Sequence, residues 1–473
     1  MTFINSFKSV KNSRFISRYQ AFIGMFLIAL GLCLTMALIS STNVIRIHDY
    51  DLRVHPDEEN HVLAARFYFD NWLPPGVADP RTMDSYSDYG MSYLNEWDIV
   101  YLLAGKFATL IHPILSHEAF ELRLFVFELR LFNVCLFMVM ALIALIRRDE
   151  ILAFVVLLTS PQIWYIFSYF NGDALPMFLS MLAAYEITSA RSLFNAHSRH
   201  VVLRFLPLGL YMGLIILSKK TFWAFDLFAL GCIAWIEFHH CARNRVAVWI
   251  KHMVLLAAII FLIVAPRIAY DFYLNGTPAQ KHEKIVETAD ILAKPWFKPS
   301  LKDSAISSRG VDMKDKGVSL IELFNKFHWG KNSLESSFGV YQAYSRDHAG
   351  PKVYMALFIV YGTFLIYLVF VFIRYSGFQD KLLLGWGLTL SLLIIGLSVY
   401  HSWVNDFQPL GRYLFGIFCI FSVLLARWRN WLNPVVINLL VGALFTLSAY
   451  SFVFYALNHI PKGYLFERIT GLF

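Results

Sequence analysis

Runs of about 20 apolar residues recur along the chain between residues 20 and 457, separated by polar stretches. A helix needs about 20 apolar residues to cross the roughly 30 Å hydrocarbon core of a bilayer. The pattern therefore predicts about eleven membrane-spanning helices, within a range of about 10–13. They are predicted at 20–41, 121–146, 151–170, 174–190, 201–218, 221–238, 247–269, 352–373, 382–400, 410–426 and 433–457.

Two polar stretches are much longer than the others, at 42–97 and 271–350. Residues 1–270 are expected to form an N-terminal transmembrane module that includes the first of these loops, and 351–473 to form C-terminal transmembrane helices. Long loops usually act as lids or binding segments. Outside the spans, helices are predicted at 56–72 and 97–115, both at the membrane interface, and at 280–293 and 317–328.

The composition agrees with this pattern. Of the 473 residues, 58% are hydrophobic and 16% are charged, which is too apolar for a soluble globular protein. We therefore predict an all-α integral membrane protein.

Basic residues indicate which side of the membrane each loop faces, because Lys and Arg in short loops stay on the cytoplasmic side. The N-terminus and every second loop after it are basic, so we expect a cytoplasmic N-terminus, with 42–97 and 271–350 on the outer side of a bacterial inner membrane. The net charge of +8 is then a topology signal and does not favour nucleic-acid binding. The basic residues concerned are Lys8, Lys11, Arg14, Arg18, Arg147, Arg148, Arg191, Arg204, Arg243, Arg245, Lys251, Arg374, Lys381, Arg427 and Arg429.

The first outer loop contains a dense acidic sequence, HPDEENH at 55–61. Pro56 suits the first turn of a helix, and the carboxylates favour its positive N-terminal end. Asp57 and Glu58 precede His61 by four and three residues, so all three side chains can point to one side of the helix. Charge this dense beside a membrane is typical of a functional site.

Three further polar groups lie in outer connections of the predicted topology. Asp173 ends an Asn-Gly-Asp turn, Lys219 and Lys220 form a tight connection, and Arg412 with Tyr413 begins the span at 410–426. The two lysines break the charge rule that the other short loops obey, and they suit an anionic partner such as a lipid phosphate. Arg412 can bind the same phosphate through two parallel hydrogen bonds.

Each group also has a structural interpretation. The carboxylates from Asp57 onward could cap a helix, residues 171–173 could form a simple turn, and the lysines could extend to lipid headgroups. Arg412 could pair with Asp406. His61 could be a metal ligand or the partner of a hydrogen-bonded base.

The order of these residues resembles a large bacterial family of membrane proteins allied to the GT-C glycosyltransferases. The resemblance rests on Asp57-Glu58 with His61 after the first span, Asn-Gly-Asp after the third, a lysine at the end of the fifth, and Gly-Arg-Tyr late in the chain. It covers most of the chain in order and topology, and Asp57-Glu58 is its most specific part. The loop at 271–350 matches nothing in that family.

The resemblance implies an inverting enzyme that moves a sugar from a polyprenyl-phosphate carrier to a glycan or lipid acceptor, such as an O-antigen unit or another cell-envelope polysaccharide, on the outer side. Asp57, or alternatively Glu58, would be the general base or a ligand of the metal or acceptor. No cofactor is certain, and a divalent metal stays open, because some members of the superfamily use one and others do not. Substrate binding would fall to His61, Asp173, Lys219, Lys220, Arg412 and Tyr413.

Two other classes of function stay open. A transporter or flippase of lipid-linked saccharide would use the same cations, but it should place ionisable groups near the midplane and show internal symmetry. The chain shows no internal repeat. A membrane acyltransferase would rely on a central histidine, for which His55, His61 and His401 are candidates.

Overall fold

The computed structural model describes residues 19–40, 55–115, 122–195, 200–240, 246–301, 313–341 and 347–460. Within these ranges the protein is mainly helical, with a single pair of two-residue strands, and eight helices are long and apolar enough to cross a membrane. The predicted class, an all-α membrane protein, is therefore confirmed. The basic N-terminus and the first part of the loop at 42–97 lie outside the described residues.

The helices are numbered here in chain order. They are α1 (Gln20–Ile39), α2 (Glu58–Asp70), α3 (Ile99–Leu115), α4 (Leu122–Ile146), α5 (Pro161–Ile166), α6 (Ala174–Thr188), α7 (Val201–Ile216), α8 (Trp223–His240), α9 (Val246–Asn275), α10 (Pro278–Leu292), α11 (Leu320–Asn325), α12 (Trp329–Ser336), α13 (Pro351–Tyr375), α14 (Phe378–Val404), α15 (Phe415–Trp428) and α16 (Pro434–Ser451). One antiparallel strand pair joins β1 (Val340–Tyr341) to β2 (Asp347–His348).

The long apolar helices correspond to eight of the predicted spans. They are α1, α4, α8, α9, α13, α14, α15 and α16, of which α8 and α15 are preceded by 3-10 turns. The predicted spans 174–190 and 201–218 form the shorter helices α6 and α7, of 15 and 16 residues. The predicted total of eleven is therefore not confirmed.

The predicted helix over 151–170 is wrong. The chain forms two 3-10 segments, Arg148–Ala153 and Val155–Leu158, followed by α5, which has six residues. Pro161 begins α5 and has no N–H to donate to a continuous helix, and the hydroxyl of Ser160 accepts the N–H of Gln162 at 3.2 Å.

This irregular segment is buried, so protein groups take the place of helical hydrogen bonds. The hydroxyl of Tyr361 on α13 donates to the carbonyl of Thr159 at 3.1 Å, and the amide of Asn133 on α4 donates to the carbonyl of Tyr169 at 2.7 Å. Non-helical backbone is tolerated at membrane depth where protein encloses it. The residues at 151–170 are apolar because they pack against other helices of the protein, and not because they cross a membrane as one helix.

Helix α6 forms the centre of the bundle. All of its residues except Phe178 are buried, and it packs against α4, α7, α8 and α15. A helix that is apolar on every side belongs in the interior of a large protein. Asp173, which directly precedes α6, is therefore surrounded by protein.

Helices form at the four positions predicted outside the spans, as α2, α3, α10 and the six-residue α11, and the interfacial placement of α2 and α3 stays a prediction. A capping box begins α10: the Gln280 side chain accepts the N–H of Thr277 at 2.8 Å, and the Thr277 hydroxyl accepts the N–H of Gln280 at 3.3 Å. Helix α12 packs against the 3-10 turn Gly411–Leu414. The described part of 271–350 thus contributes a wall to the region around Arg412.

Gly105 fixes the crossing of α2 and α3. A Cβ at this position would lie 2.7 Å from the carbonyl oxygen of Ala65 and 2.9 Å from the Cβ of Tyr68. We expect Gly105→Ala to lower the free energy of unfolding by about 1–3 kcal/mol, because backbone atoms must move to admit the methyl group. Thermal melting of the detergent-solubilised protein measures this loss.

Gly385→Ala on α14 is the matched control, since nothing lies within 4 Å of a Cβ there. Alanine is the better helix former, so this variant should melt at the wild-type temperature or slightly above it. Equal melting temperatures for both variants would show that the crossing is not close.

Candidate active site

Asp57 lies at the start of α2 in a left-handed backbone conformation, with φ of +57°. Its side chain makes no hydrogen bond to the first N–H groups of the helix, so it does not act as a cap. Instead, Oδ2 accepts a hydrogen bond from Nη2 of Arg412 at 3.1 Å, and 44% of the side chain is exposed. Asp57 is thus held by one partner and open to solvent.

Glu58, the next residue, points inward. Arg130 on α4 donates to both of its oxygens, from Nε at 2.8 Å and from Nη2 at 2.6 Å, and the N–H of Phe170 donates to Oε1 at 2.9 Å. Arg130 is fully buried and also donates to the hydroxyl of Ser40 at 2.6 Å. Burial would raise the pKa of Glu58, but the charge and hydrogen bonds of Arg130 outweigh it, so the pKa lies below the ordinary value.

The Asn-Gly-Asp turn is built by the Asn171 side chain. Its oxygen accepts the N–H of Asp173 at 2.8 Å, and its nitrogen donates to the carbonyl of Ile166 at 2.6 Å. This turn places the fully buried Asp173 at the N-terminus of α6, where a negative charge is stabilised. Asp173 forms an ion pair with Lys219 at 2.6 Å and lies 4.0 Å from Nε of Arg412.

The two adjacent lysines have different surroundings. Lys219 turns inward to Asp173 and lies over the ring of Tyr413, 5.6 Å from its centre, and burial lowers its pKa. Lys220 turns outward, pairs with Glu96 at 3.0 Å and is 56% exposed. The structure therefore brings Lys219 to Asp57 and Arg412, and leaves Lys220 at the surface.

Arg412 is placed by the residue before it. A Cβ on Gly411 would collide with the backbone of Ser337 just after α12, and the Gly411 N–H donates to the hydroxyl of Ser336 at 2.5 Å. This close approach turns Arg412 inward, between Asp57 and Asp173. The alternative that Arg412 pairs with Asp406 is not what the structure shows.

Asp57, Asp173, Lys219 and Arg412 form the group that we call the charge cluster. It contains two carboxylates and two cations, so its net charge is zero. The partial burial of Asp57 would raise its pKa, but the Arg412 charge and hydrogen bond hold the pKa below its ordinary value. The cluster can accept a proton at Asp57 and can offer two cations to an anionic group.

An aromatic wall adjoins the charge cluster. His61 on α2 is buried, shares a hydrogen bond of 2.7 Å between Nδ1 and the hydroxyl of Tyr101, and stacks on Tyr93 with ring centres 4.1 Å apart. Burial lowers the pKa of His61 to about 3, so the ring is neutral at pH 7. The ring of Tyr413 lies against both cations, with its centre 5.6 Å from Lys219 Nζ and 5.6 Å from Arg412 Cζ, and its hydroxyl donates to Gln408.

The sequence reasoning missed Arg130, Tyr93 and Tyr101. Arg130 had a signal, because it is a charged residue inside the predicted span 121–146 and such residues are rarely without function. The tyrosines had none, since aromatic residues make up 17% of the chain. Among the described residues, no group of three or more His, Cys, Asp or Glu side chains is arranged to hold a metal ion.

Comparison of the chain with protein-family models, with curated proteins and with solved structures gives no match. The resemblance to the GT-C enzymes therefore rests on the residues themselves.

The Arg130–Glu58 pair should dominate the stability of this region. Removing one partner of a buried ion pair leaves an uncompensated charge and costs about 3–5 kcal/mol. We expect Arg130→Met to lower the melting temperature strongly, and the double variant Arg130→Met/Glu58→Met to recover part of the loss. Arg66→Gln is the control: Arg66 pairs with Asp70 at the surface, 2.7 Å away, and such pairs contribute about 0–1 kcal/mol.

His61 and His55 should make the protein sensitive to mild acid. Burial lowers the pKa of both to about 3, whereas in the unfolded chain each takes up a proton near pH 6.5. Below pH 6.5 the unfolded state therefore binds more protons, and stability falls by roughly 1.4 kcal/mol per histidine and pH unit until the folded pKa is reached.

The measurement is the melting temperature between pH 7 and pH 5, a window that contains the pKa of a histidine in the unfolded chain. His61→Gln should show a smaller fall than the wild type. His282→Gln, at an exposed position of α10, should keep the wild-type slope. Parallel slopes for all three proteins would contradict a neutral, buried His61.

Proposed function

We propose that this protein is an inverting membrane glycosyltransferase of the GT-C type, with Asp57 as general base. It moves a sugar from a polyprenyl-phosphate donor to a glycan or lipid-linked acceptor. The basic loops support a reaction on the outer side of a bacterial inner membrane, with the N-terminus in the cytoplasm. The apolar helices α8 and α15, long enough to span a membrane together with the turns that precede them, begin beside the charge cluster, which suits a donor that arrives through the lipid.

One observation carries the choice of Asp57 over Glu58. The Asp57 side chain is 44% exposed, while that of Glu58 is 6% exposed and has both oxygens bound by Arg130. A general base must come within hydrogen-bond reach of the proton that it accepts. Glu58 therefore positions Asp57, and Asp57 meets the acceptor.

The chemical step has three parts. Asp57 accepts the proton of an acceptor hydroxyl as that oxygen attacks the anomeric carbon of the donor sugar. The bond between the anomeric carbon and the phosphate oxygen breaks, and its electron pair leaves with the polyprenyl phosphate. Attack from the face opposite the leaving group inverts the anomeric centre.

Arg412 and Lys219 stabilise the leaving phosphate. Fixed cations aimed at developing charge usually supply the largest electrostatic contribution to a reaction of this kind. Arg412 is bound to Asp57 in the structure, and a phosphate would compete for the same guanidinium. Donor binding thus weakens the hold on Asp57 and raises its pKa, so the base becomes stronger when the donor is in place.

Asp57→Asn should lower the transfer rate by roughly 10²- to 10⁴-fold, because the amide cannot accept the proton. The assay incubates purified protein in lipid nanodiscs with a panel of labelled polyprenyl-phosphate sugars and a lipid-linked glycan acceptor, with and without EDTA. Asp84→Asn, at an exposed position of the same loop, is the matched control and should transfer at the full rate. Full-rate transfer by Asp57→Asn would refute the assignment of the base.

The two lysines provide a second matched pair. Lys219→Gln should slow transfer, since it removes a cation of the charge cluster, whereas Lys220→Gln should have little effect. If liposomes carrying the protein move labelled donor across the bilayer but no sugar reaches the acceptor, the protein is a transporter or flippase of lipid-linked saccharide.

A further inference from the structure

A second polar site lies at the opposite end of the bundle. Arg412 precedes α15 and Arg427 lies in its last turn, so the two are separated by about 22 Å along the helix. Near Arg427 the helices α6, α8, α14 and α15 enclose a cavity of about 210 Å³. The cavity shares no residue with the charge cluster.

The cavity combines an apolar wall with an ion pair. Ile236, Leu383 and Val423 are among its apolar lining residues. Arg427 and Asp380 also line it, joined by a contact of 3.3 Å between Nε and Oδ1, with side chains only 11% and 10% exposed. Charges this well shielded from water interact strongly with the charges of a bound ligand, because the local dielectric constant is low.

Helix ends hold this pair in place. Asp380 lies in the first turn of α14, where it accepts the N–H of Gly377 at 3.3 Å, and Arg427 lies in the last turn of α15. Each charge therefore complements the dipole of its own helix. The two charges keep fixed places, with the anion on α14 and the cation on α15.

The cavity opens sideways, toward the position of the lipid. Trp386 and Leu382 form part of its lining and are 39% and 45% exposed on the outer surface of the bundle. Large apolar side chains exposed on a spanning helix face hydrocarbon, and tryptophan is enriched near membrane interfaces. Gly231 on α8 lets Trp386 of α14 pack closely against it, since a Cβ on Gly231 would lie 2.5 Å from the indole nitrogen.

We propose that this cavity binds a zwitterionic aminophospholipid of the phosphatidylethanolamine type. Its phosphate contacts Arg427, its ammonium contacts Asp380, and one acyl chain occupies the apolar wall. A guanidinium has five N–H donors in a planar fork and can hold Asp380 and a phosphate oxygen together. A purely anionic headgroup would bring its charge against Asp380 without a compensating cation, so charge complementarity favours the zwitterion.

The lipid would join α8, α14 and α15 at this end. Two of these helices begin beside the charge cluster, α8 after Lys219 and α15 after Arg412. A ligand that binds only the folded protein stabilises it. The proposal does not depend on the transfer reaction.

Native mass spectrometry of the full-length protein, titrated with lipids of identical chains, tests the proposal. Phosphatidylethanolamine should bind more tightly than phosphatidylglycerol, which lacks the cation, and than phosphatidylcholine, whose quaternary ammonium cannot donate a hydrogen bond to Asp380. Asp380→Asn and Arg427→Gln should each weaken phosphatidylethanolamine binding by about tenfold, as expected for the loss of one charge-assisted contact. Equal binding of the three lipids would overturn the proposal.

A cavity-filling variant separates binding from folding. Leu383→Phe leaves the ion pair intact and should abolish the rise in melting temperature that phosphatidylethanolamine gives the wild type. Two controls should keep this rise: Lys381→Gln, exposed beside Asp380 and outside the cavity lining, and Leu392→Phe, 67% exposed further along α14. An undiminished rise in Leu383→Phe would place the lipid elsewhere and refute the site.

Discussion

The buried ion pair between Arg130 and Glu58 is the interaction on which the candidate active site depends. It joins the end of α1 through Ser40, the middle of α4 through Arg130, and the start of α2 through Glu58. A charge removed from water costs several kcal/mol unless a partner compensates it, so neither side chain can turn away without leaving the other unpaired. Because Glu58 is held inward, its neighbour Asp57 remains at the surface of the bundle.

The same physical requirement governs the charge cluster. Lys219 and Arg412 are cations largely shielded from water, and each is paired with a carboxylate. Their positions come from tight backbone features, namely the side-chain-built turn at Asn171 and the close packing of Gly411 against Ser337. The cations are therefore preorganised before any ligand arrives, which is the condition under which electrostatic stabilisation is largest.

The sequence allowed the class of fold and most of the cluster to be predicted, for identifiable reasons. Length and apolarity predict α9, α13 and α14 because most of the surface of those helices is exposed on the outside of the bundle. The same rule failed at 151–170, since an apolar segment enclosed by protein has the same composition as one in a bilayer. The distribution of basic residues in the loops placed Asp57, Lys219 and Arg412 on the same side of the membrane. It could not show that Lys219 points into the cluster while Lys220 points to solvent.

Which of two adjacent carboxylates is exposed was also beyond sequence reasoning. Asp57 and Glu58 have similar chemistry and share one motif. Their roles in the structure are decided by Arg130, 72 residues further along the chain than Glu58. A contact between residues this far apart in the sequence leaves no pattern in the neighbouring residues from which it could be predicted. A charged residue inside an apolar span was the one available signal, and it identifies a partner only when the position of α2 is known.

The irregular backbone between residues 148 and 160 has a consequence for how the chain is made. Its carbonyl at Thr159 is satisfied by Tyr361, which is synthesised 202 residues later, and the hydroxyl of Ser160 donates to the carbonyl of Ser337 at 2.6 Å. Backbone groups without partners are costly in hydrocarbon. The irregular conformation of this segment therefore depends on helices that are made much later, and it forms only once α13 is present to pack against it.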